Sequence, residues 1–471
     1  MEIRFLGATR TVTGSCYLLR FNDKQVLIDC GLFQGGAEME ELNYLGFHYT
    51  PRDIDYVLLT HAHIDHSGLI PRLYKLGFNG KVISTHATKD LCSIMLPDSG
   101  YLQEEAAYSA SKRREQQGKP PRPPLYTRQD AEVCIKVFQS IDYDKIIDLG
   151  PDLSVRFRDA GHILGSAYIE LWAQEGPNKT LILFSGDQGQ TDQPIIKDPT
   201  MPTDCAPDYM LIESTYGAKM HEAIGDREQQ LIDAIKATQA AGGKLIIPAF
   251  SVGRTQNLLY YINEAIDKGK MEPVKVYVDS PLAIGALDIY SKHSECFDPE
   301  TVELMKSDAL PLDFEGLKLT KSSDESKKIN EDDNPAVIIA ASGMCEGGRI
   351  RHHLKHNIWK KETTILFVSF QAEGTLGRKI LDGQKDVYIF GEQYHVAAKV
   401  MQITGFSAHA DKDGLVAFAS KLKAKPKTTF IVHGDLDNAG ALADELVHKL
   451  NMNIKIPQQF ERATLTGGKS R

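Results

Sequence analysis

The stretch YVLLTHAHIDHSGLIPRL, residues 56 to 73, constrains the fold of this chain more than any other segment. It contains His61, His63, Asp65 and His66, three histidines and an aspartate within six positions. The apolar run before them predicts a strand, and the run after them predicts a short helix. A loop between these elements can turn the four side chains towards one point, and imidazole and carboxylate suit zinc and similar divalent ions. The alternative interpretation is a histidine-rich turn exposed to water.

Further polar residues stand at the ends of other apolar runs. They are Asp29 in VLIDCG, His162 in DAGHILGSAYIEL, Asp187 in LILFSGDQGQ and His433 in TTFIVHGD. Taken singly, each of them is more typical of a structural turn than of a metal ligand.

The pattern of predicted secondary structure changes near Glu213: short strands precede this residue, and alternating strands and helices follow it. Such alternation predicts an α/β fold with a parallel sheet covered on both faces. Asn22 and Asp23 are expected to join two strands as a hairpin, and Ser67 to begin a helix. The polar segment TKSSDESKKINEDDNP, residues 320 to 335, is expected to be an exposed loop.

Length and composition limit the number of domains, the kind of partner and the cellular compartment that can be expected. A chain of 471 residues predicts two to four domains. The net charge of −9 gives no global argument for a nucleic-acid partner, which would need a local basic surface. Seven scattered cysteines without a C-x-x-C pair indicate reduced thiols in a cytoplasmic protein. We expect no membrane span, because no apolar run approaches about 18 residues, and no leader is visible before the first strand.

The order of these residues resembles the metallo-β-lactamase superfamily: Asp29, then H-x-H-x-D-H, then His162 and Asp187. The resemblance implies an αββα sandwich with a dinuclear centre at one edge, holding two zinc ions or manganese or another divalent metal. One ion would take His61, His63 and His162, and the other would take Asp65, His66 and His433. Asp187 would bridge the two ions, and Asp29 would hold the ligands by hydrogen bonds.

Later motifs resemble the β-CASP group of that superfamily. They are LIESTYG with Glu213, GFSAHAD with His409 and VHGD with His433, together with IPAFSVGRTQNLL, ASGMCEGGRIRHHL and SFQAEGTLGRKI. The resemblance covers essentially the whole chain and points to relatives of the nuclease subunit of the cleavage and polyadenylation specificity factor. It implies a metallo-β-lactamase domain from residues 1–213 and 394–471, with a Rossmann-like β-CASP domain inserted at 214–393.

The group implies a zinc-dependent ribonuclease, since members that act on RNA tend to carry a histidine at the position of His433. Hydroxide activated by two zinc ions would hydrolyse single-stranded RNA and leave 5′-phosphate and 3′-hydroxyl ends. The catalytic residues would be Asp65, Asp187, Glu213 and His409, with Glu213 orienting His409 as the acid for the leaving oxygen. Glu213 and His409 could instead be a buried structural pair. Endonucleolytic and 5′-to-3′ exonucleolytic cleavage both stay open.

We expect the RNA to bind along cationic, polar and glycine residues of the inserted segment. The expected RNA-binding residues are Arg254, Ser342, Gly343, Arg349, Arg351, His352, Gln371, Gly374 and Arg378. A solvated charged face is the alternative for each charged residue. Two rival functions are a small-ester hydrolase, such as a thioesterase or lactonase, and an inactive RNA-binding subunit of a processing complex. A homodimer is one arrangement that the sequence leaves open.

Overall fold

The computed structural model describes residues 1–221, 224–307 and 311–469. The strands are β1 Glu2–Phe5, β2 Tyr17–Phe21, β3 Lys24–Ile28, β4 Tyr56–Leu58, β5 Lys81–Thr85, β6 Phe138–Ile141, β7 Ile146–Asp148, β8 Leu153–Asp159, β9 Ala167–Glu175, β10 Asn178–Phe184, β11 Tyr209–Ile212, β12 Lys244–Pro248, β13 Val276–Val278, β14 Leu317–Leu319, β15 Ala336–Ala340, β16 Thr364–Phe367, β17 Asp386–Ile389, β18 Glu392–His395, β19 Lys399–Gln402, β20 Thr428–Ile431, β21 Ile454–Lys455, β22 Arg462–Thr464 and β23 Gly468–Lys469.

The helices are α1 Ala37–Leu42, α2 Ile64–Ser67, α3 Ile70–Lys75, α4 His86–Glu115, α5 Arg128–Cys134, α6 Ile224–Ala240, α7 Arg254–Asp267, α8 Pro281–Tyr290, α9 Pro299–Ser307, α10 Ser323–Glu331, α11 Ile350–Asn357, α12 Leu376–Leu381, α13 Lys412–Ser420 and α14 Leu436–Leu450. Single 3-10 turns lie at Pro51–Asp53, Ile135–Val137, Ser294–Cys296 and Thr404–Phe406. None of the described helices combines the length and the apolar character that a membrane span requires.

The chain divides into two compact units. The first unit comprises residues 1–191, 198–220 and 409–471, and the second comprises 192–197 and 221–408. The domain limits drawn from the sequence, at 213 and 393, stay a prediction.

The first unit is built on two sheets. One has the strand order β22-β1-β2-β3-β4-β5-β6, and the other has the order β21-β20-β11-β10-β9-β8-β7, with β23 beside β10. Phe5 and Ile28 of the first sheet pack with Phe157 and Ile182 of the second in one buried core. On the second sheet, Met210 and other buried residues pack against α13 and α14 in another apolar cluster. These layers confirm the predicted sandwich, and Phe21 pairs with Lys24 in the predicted hairpin.

The second unit contains a six-stranded sheet of order β14-β13-β15-β12-β16-β19. All of its ladders are parallel, as the alternation of strands and helices predicts. Strands β12 and β15 are buried along their whole length, which explains their continuous apolar sequences. Ile338 of β15 packs with Ile350 of α11 and Ile380 of α12 in the core on one face of the sheet.

Two local predictions are wrong. Residues 320–335 were expected to form a loop, but Ser323–Glu331 is helical because Ser322 and Glu325 form a capping box and Ile329 is buried. Ser67 does not begin a helix; it ends α2, and its hydroxyl donates to the carbonyls of Ala62 and His63.

Candidate metal centre

The histidines and aspartates predicted as ligands all follow strands of the first unit. The residues His61 to His66 come after β4, His162 lies between β8 and β9, Asp187 comes after β10, and His433 comes after β20. Strands β10, β11 and β20 run parallel, and so do β3, β4 and β5. The carboxyl ends of parallel strands meet at one edge of a sheet, so the side chains at those ends converge there.

One group of ligand atoms comprises His61, His63, His162 and Asp187. His63 Nδ1 lies 3.2 Å from His61 Nε2 and 3.3 Å from His162 Nε2. Asp187 Oδ2 lies 3.5 Å from His61 Nε2 and 3.7 Å from His162 Nε2. Three imidazole nitrogens and a carboxylate oxygen thus face one point, which is the donor set that zinc prefers.

A second group comprises Asp65, His66, His433 and, again, Asp187. His433 Nε2 lies 3.2 Å from His66 Nε2 and 3.3 Å from Asp65 Oδ2. The other oxygen of the shared aspartate, Asp187 Oδ1, lies 3.3 Å from His66 Nε2. Asp187 therefore presents one carboxylate oxygen to each group, as a bridging ligand between two ions would.

The protonation states of these side chains fit divalent cations. Burial lowers the pKa of His63 to about 4, and it holds the pKa values of His61 and His162 well below the ordinary range. Burial raises the pKa of Asp187, but His433 and the other nearby histidines outweigh it, and the pKa lies well below its usual value. Neutral imidazoles and ionised carboxylates are the forms that bind metal.

The environment of His66 differs from that of the other histidines. Burial lowers its pKa, but the carboxylates of Asp187, Asp29 and Asp65 outweigh burial and raise it well above the ordinary value. Three carboxylates around one buried imidazole concentrate negative charge at this group, which favours a bound cation.

Asp29 lies beside the second group and contacts His66. Its Oδ2 lies 2.7 Å from His66 Nδ1, and its Oδ1 accepts a hydrogen bond of 2.8 Å from the Thr60 backbone. The contact with Nδ1 leaves Nε2 of the same ring facing the ligand group. The backbone at Asp29 has a φ of +60°, in the left-handed region that aspartate tolerates better than most residues.

Sequence reasoning missed two threonines that support the ligands. Thr60 Oγ1 lies 3.0 Å from Asp29 Oδ2 and 3.1 Å from His61 Nδ1. Thr215 Oγ1 lies 3.2 Å from His433 Nδ1. Thr60 directly precedes the histidine motif, which is a usable signal, whereas nothing in the sequence relates Thr215 to a residue 218 positions later.

Glu213 and His409 lie together beside the ligand groups. Glu213 is fully buried, and its carboxylate accepts hydrogen bonds from the backbone amides of Gln188 and Thr215. Glu213 Oε1 lies 3.1 Å from His409 Nδ1, and the His409 ring centroid lies 4.4 Å from that of His162. Burial lowers the pKa of His409, but Glu213 outweighs it and raises that pKa to about 9.

The residues predicted to bind RNA all belong to the second unit, and several have internal partners. Arg349 Nη1 donates to Asp279 Oδ1 at 2.6 Å, and Arg378 pairs with Asp382 at 2.8 Å. Gln371 is buried and donates to the Gly343 carbonyl. These three side chains, which are expected to bind RNA, therefore also make contacts within the second unit.

The other members of that set occupy turns and helix starts. Arg254 is the first residue of α7, and the Ser342 hydroxyl accepts from two backbone amides of the following turn. Arg351 and His352 both contact the ring of Phe390, at 4.4 Å for the guanidinium and 4.6 Å between ring centroids. Gly374 has a φ of +83° and open space beside it.

Three family models match this chain. The metallo-beta-lactamase superfamily matches residues 9–133, and the Beta-Casp domain matches residues 255–380. The Zn-dependent metallo-hydrolase RNA specificity domain matches residues 393–457. The three matches follow one another along the chain without overlap.

Whole-chain comparisons find proteins that match this chain over most of its length. Ribonuclease TTHA0252 of Thermus thermophilus is 34% identical over 94% of this chain and 95% of its own length. Transcription termination factor FttA of Methanocaldococcus jannaschii is 31% identical over 98% of this chain and 71% of its own length. A protein of unknown function from Enterococcus faecalis has a crystal structure that matches with a TM-score of 0.53 at 13% identity, covering 98% of this chain and 99% of that one. This last likeness concerns the fold alone.

Proposed function

This chain belongs to the β-CASP ribonuclease group of the metallo-β-lactamase superfamily, and we propose that it hydrolyses single-stranded RNA at two zinc ions held by its first unit. The observation that carries the proposal is the position of Asp187, whose two oxygens face two separate groups of histidine ligands. If two cations are bound, this carboxylate would be a ligand of both.

The ligand assignment follows the two groups. His61, His63 and His162 would hold one ion, and Asp65, His66 and His433 would hold the other, with Asp187 between them. Two divalent ions, when bound, lower the pKa of water towards about 7 and neutralise the charge on a phosphate oxygen. Asp29 would keep the Nε2 atom of His66 aimed at its ion.

His409 is the proposed acid for the leaving 3′-oxygen. Glu213 raises the pKa of His409 to about 9, which favours the protonated ring that an acid needs. Glu213 accepts at Nδ1, so the proton at Nε2 is the one that His409 can give. The two backbone amides on Glu213 fix the carboxylate and thereby the ring. This chemistry leaves a 5′-phosphate and a 3′-hydroxyl.

The setting of the proposed activity is the cytoplasm. All seven cysteines are buried, and the sequence has no C-x-x-C pair, which is typical of a protein in a reducing compartment. A homodimer stays a prediction from the sequence.

The experiment compares three labelled single-stranded RNAs of the same sequence: linear RNA with a 5′-phosphate, linear RNA with a 5′-hydroxyl, and circular RNA. Purified protein is stripped with chelator and then supplied with zinc or manganese. We expect cleavage only with metal, and products with 5′-phosphate and 3′-hydroxyl ends. Cleavage of circular RNA would demonstrate endonuclease action, and a preference for 5′-phosphate RNA would indicate 5′-to-3′ exonuclease action.

Asp187→Asn and Asp208→Asn form a matched pair for this experiment. Asp187 faces both ligand groups, whereas Asp208 pairs with Lys427 and belongs to neither group. We expect cleavage to be lost in the first variant and kept in the second. Chelator-resistant cleavage, or ends with 2′,3′-cyclic phosphate, would refute the two-metal proposal. Intact RNA with a cleaved thioester or lactone would favour the small-ester rival, and RNA binding without cleavage would favour the inactive subunit.

A further inference from the structure

The second unit has a polar cavity of about 200 Å³ that the ligand groups do not include. Its lining residues are Cys345, Glu346, Arg351, Gly374, Leu376, Lys379, Gln384 and Tyr388. They come from the turn after β15, from α11 and α12, and from the start of the β17–β18 hairpin. We refer to this feature as the Arg351 pocket.

Two cations of the Arg351 pocket lack the carboxylate partners that neighbouring cations have. Arg349 pairs with Asp279 and Lys355 pairs with Glu392, but no described carboxylate lies within 4.0 Å of Arg351 or Lys379. Arg351 Nη1 donates to the Glu346 carbonyl at 3.5 Å, whereas the buried Nε atom has no hydrogen-bond partner among the described residues. The guanidinium as a whole is partly exposed and lines the cavity without a carboxylate partner, which favours an anionic ligand there.

The rest of the lining suits a nucleotide better than a bare anion. Tyr388 is 65% exposed, so its ring presents a face to solvent at the pocket. A Cβ on Gly374 would have no atom within 4 Å, so a ligand can approach the backbone there. Phe390 holds the Arg351 guanidinium 4.4 Å from its ring, which fixes its direction. The one carboxylate in the lining, Glu346, accepts from the Leu376 backbone amide at 2.5 Å.

We propose that the Arg351 pocket binds one unpaired nucleotide of the RNA strand. Its phosphate contacts Arg351 and Lys379, and its base stacks on Tyr388. Arginine and lysine are the usual phosphate donors, and aromatic rings take bases of any sequence. A cavity of about 200 Å³ accepts one splayed nucleotide and excludes a duplex. This assignment rests on the proposed function, because it takes RNA as the substrate.

Binding is measured on the full chain by fluorescence anisotropy with labelled oligouridine, in chelator so that no cleavage occurs. We expect Arg351→Gln and Lys379→Gln each to lower affinity and to reduce the slope of log K against log salt by about one. Lys355→Gln is the matched control, since Lys355 lies on α11 four residues after Arg351 and pairs with Glu392. The control is expected to keep the wild-type salt slope.

Tyr388 gives an independent test because its exposed ring supports no core. We expect Tyr388→Ala to weaken oligouridine binding about five-fold or more, and Tyr388→Phe to restore it. Uridine monophosphate is expected to compete with the oligonucleotide in the wild type and not in Tyr388→Ala.

The outcomes separate this assignment from the proposed function. If the wild-type protein cleaves RNA with metal but the pocket variants bind as it does, the pocket assignment is wrong and the proposed function stands. Equal weakening by Lys355→Gln would also overturn it, because that result indicates general charge attraction. If the wild type neither cleaves nor binds oligouridine, the proposed function itself fails.

Discussion

Replacement of Asp29 by asparagine tests how the second ligand group is held. The carboxylate lies 2.7 Å from His66 Nδ1 and accepts from the backbone and hydroxyl of Thr60. Asparagine keeps the volume and tolerates the φ of +60°. Its amide oxygen can replace only one of the two oxygens, so either the His66 contact or the Thr60 contacts are lost.

The size of the effect follows from the kind of contact removed. Partners that orient a metal-bound histidine are worth about 10- to 100-fold in metal affinity, or roughly 1.4 to 2.8 kcal/mol. We therefore expect Asp29→Asn to bind zinc about 10- to 100-fold more weakly. His66 belongs to the second ligand group only, together with Asp65 and His433. We therefore expect weaker binding of one of the two zinc ions, while the affinity for the other ion stays unchanged.

Zinc affinity is measured by competition with a chromophoric chelator, and RNA cleavage is followed as zinc is added to stripped protein. Asp55→Asn is the control, because Asp55 also accepts a backbone amide, that of Gln25 at 2.8 Å, but belongs to neither ligand group. Wild-type zinc affinity in a folded Asp29→Asn protein would refute the reasoning. Equal loss in both variants would show a general effect of removing a carboxylate.

Three further changes have defined outcomes. His409→Ala is expected to lower the cleavage rate about 10²- to 10⁴-fold while metal content, measured by mass spectrometry, stays at the wild-type level; loss of metal would make His409 a ligand. Asp279→Ala is expected to cost about 3–5 kcal/mol in urea unfolding, since it leaves the buried His353 and the partly buried Arg349 without their carboxylate; a cost below about 1 kcal/mol would contradict this. Ser322→Ala removes the cap of α10 and is expected to cost about 1 kcal/mol in the same measurement, and no change would mean that the helix does not depend on its cap.

The positions of most candidate ligands could be predicted because they follow apolar strands. The apolar runs before His61, Asp187 and His433 predict buried strands. A polar residue that follows a buried strand is expected to lie at the edge of the sheet. The supporting contacts were harder to predict. Thr215 meets His433 only through the pairing of β11 with β20, which no local pattern reveals.

The roles of the cations could not be predicted from the sequence. Arg349 and Arg351 stand two positions apart in the same basic stretch, and sequence reasoning treats them alike. In the structure Arg349 pairs with a buried aspartate, whereas Arg351 lies over an aromatic ring at a cavity. The partner of Arg349 is 70 positions away in the chain, so the distinction depends on tertiary contacts.

Contacts between segments that are far apart in the sequence set the time at which the second ligand group can form during synthesis. Strand β1 pairs with β22, and His66 meets His433, which lies 367 positions later. At about 5–20 residues per second, the ribosome needs roughly 20 to 70 s between these two histidines. Throughout that interval the growing chain holds His66 without His433, so the second ligand group can form only after His433 has left the ribosome.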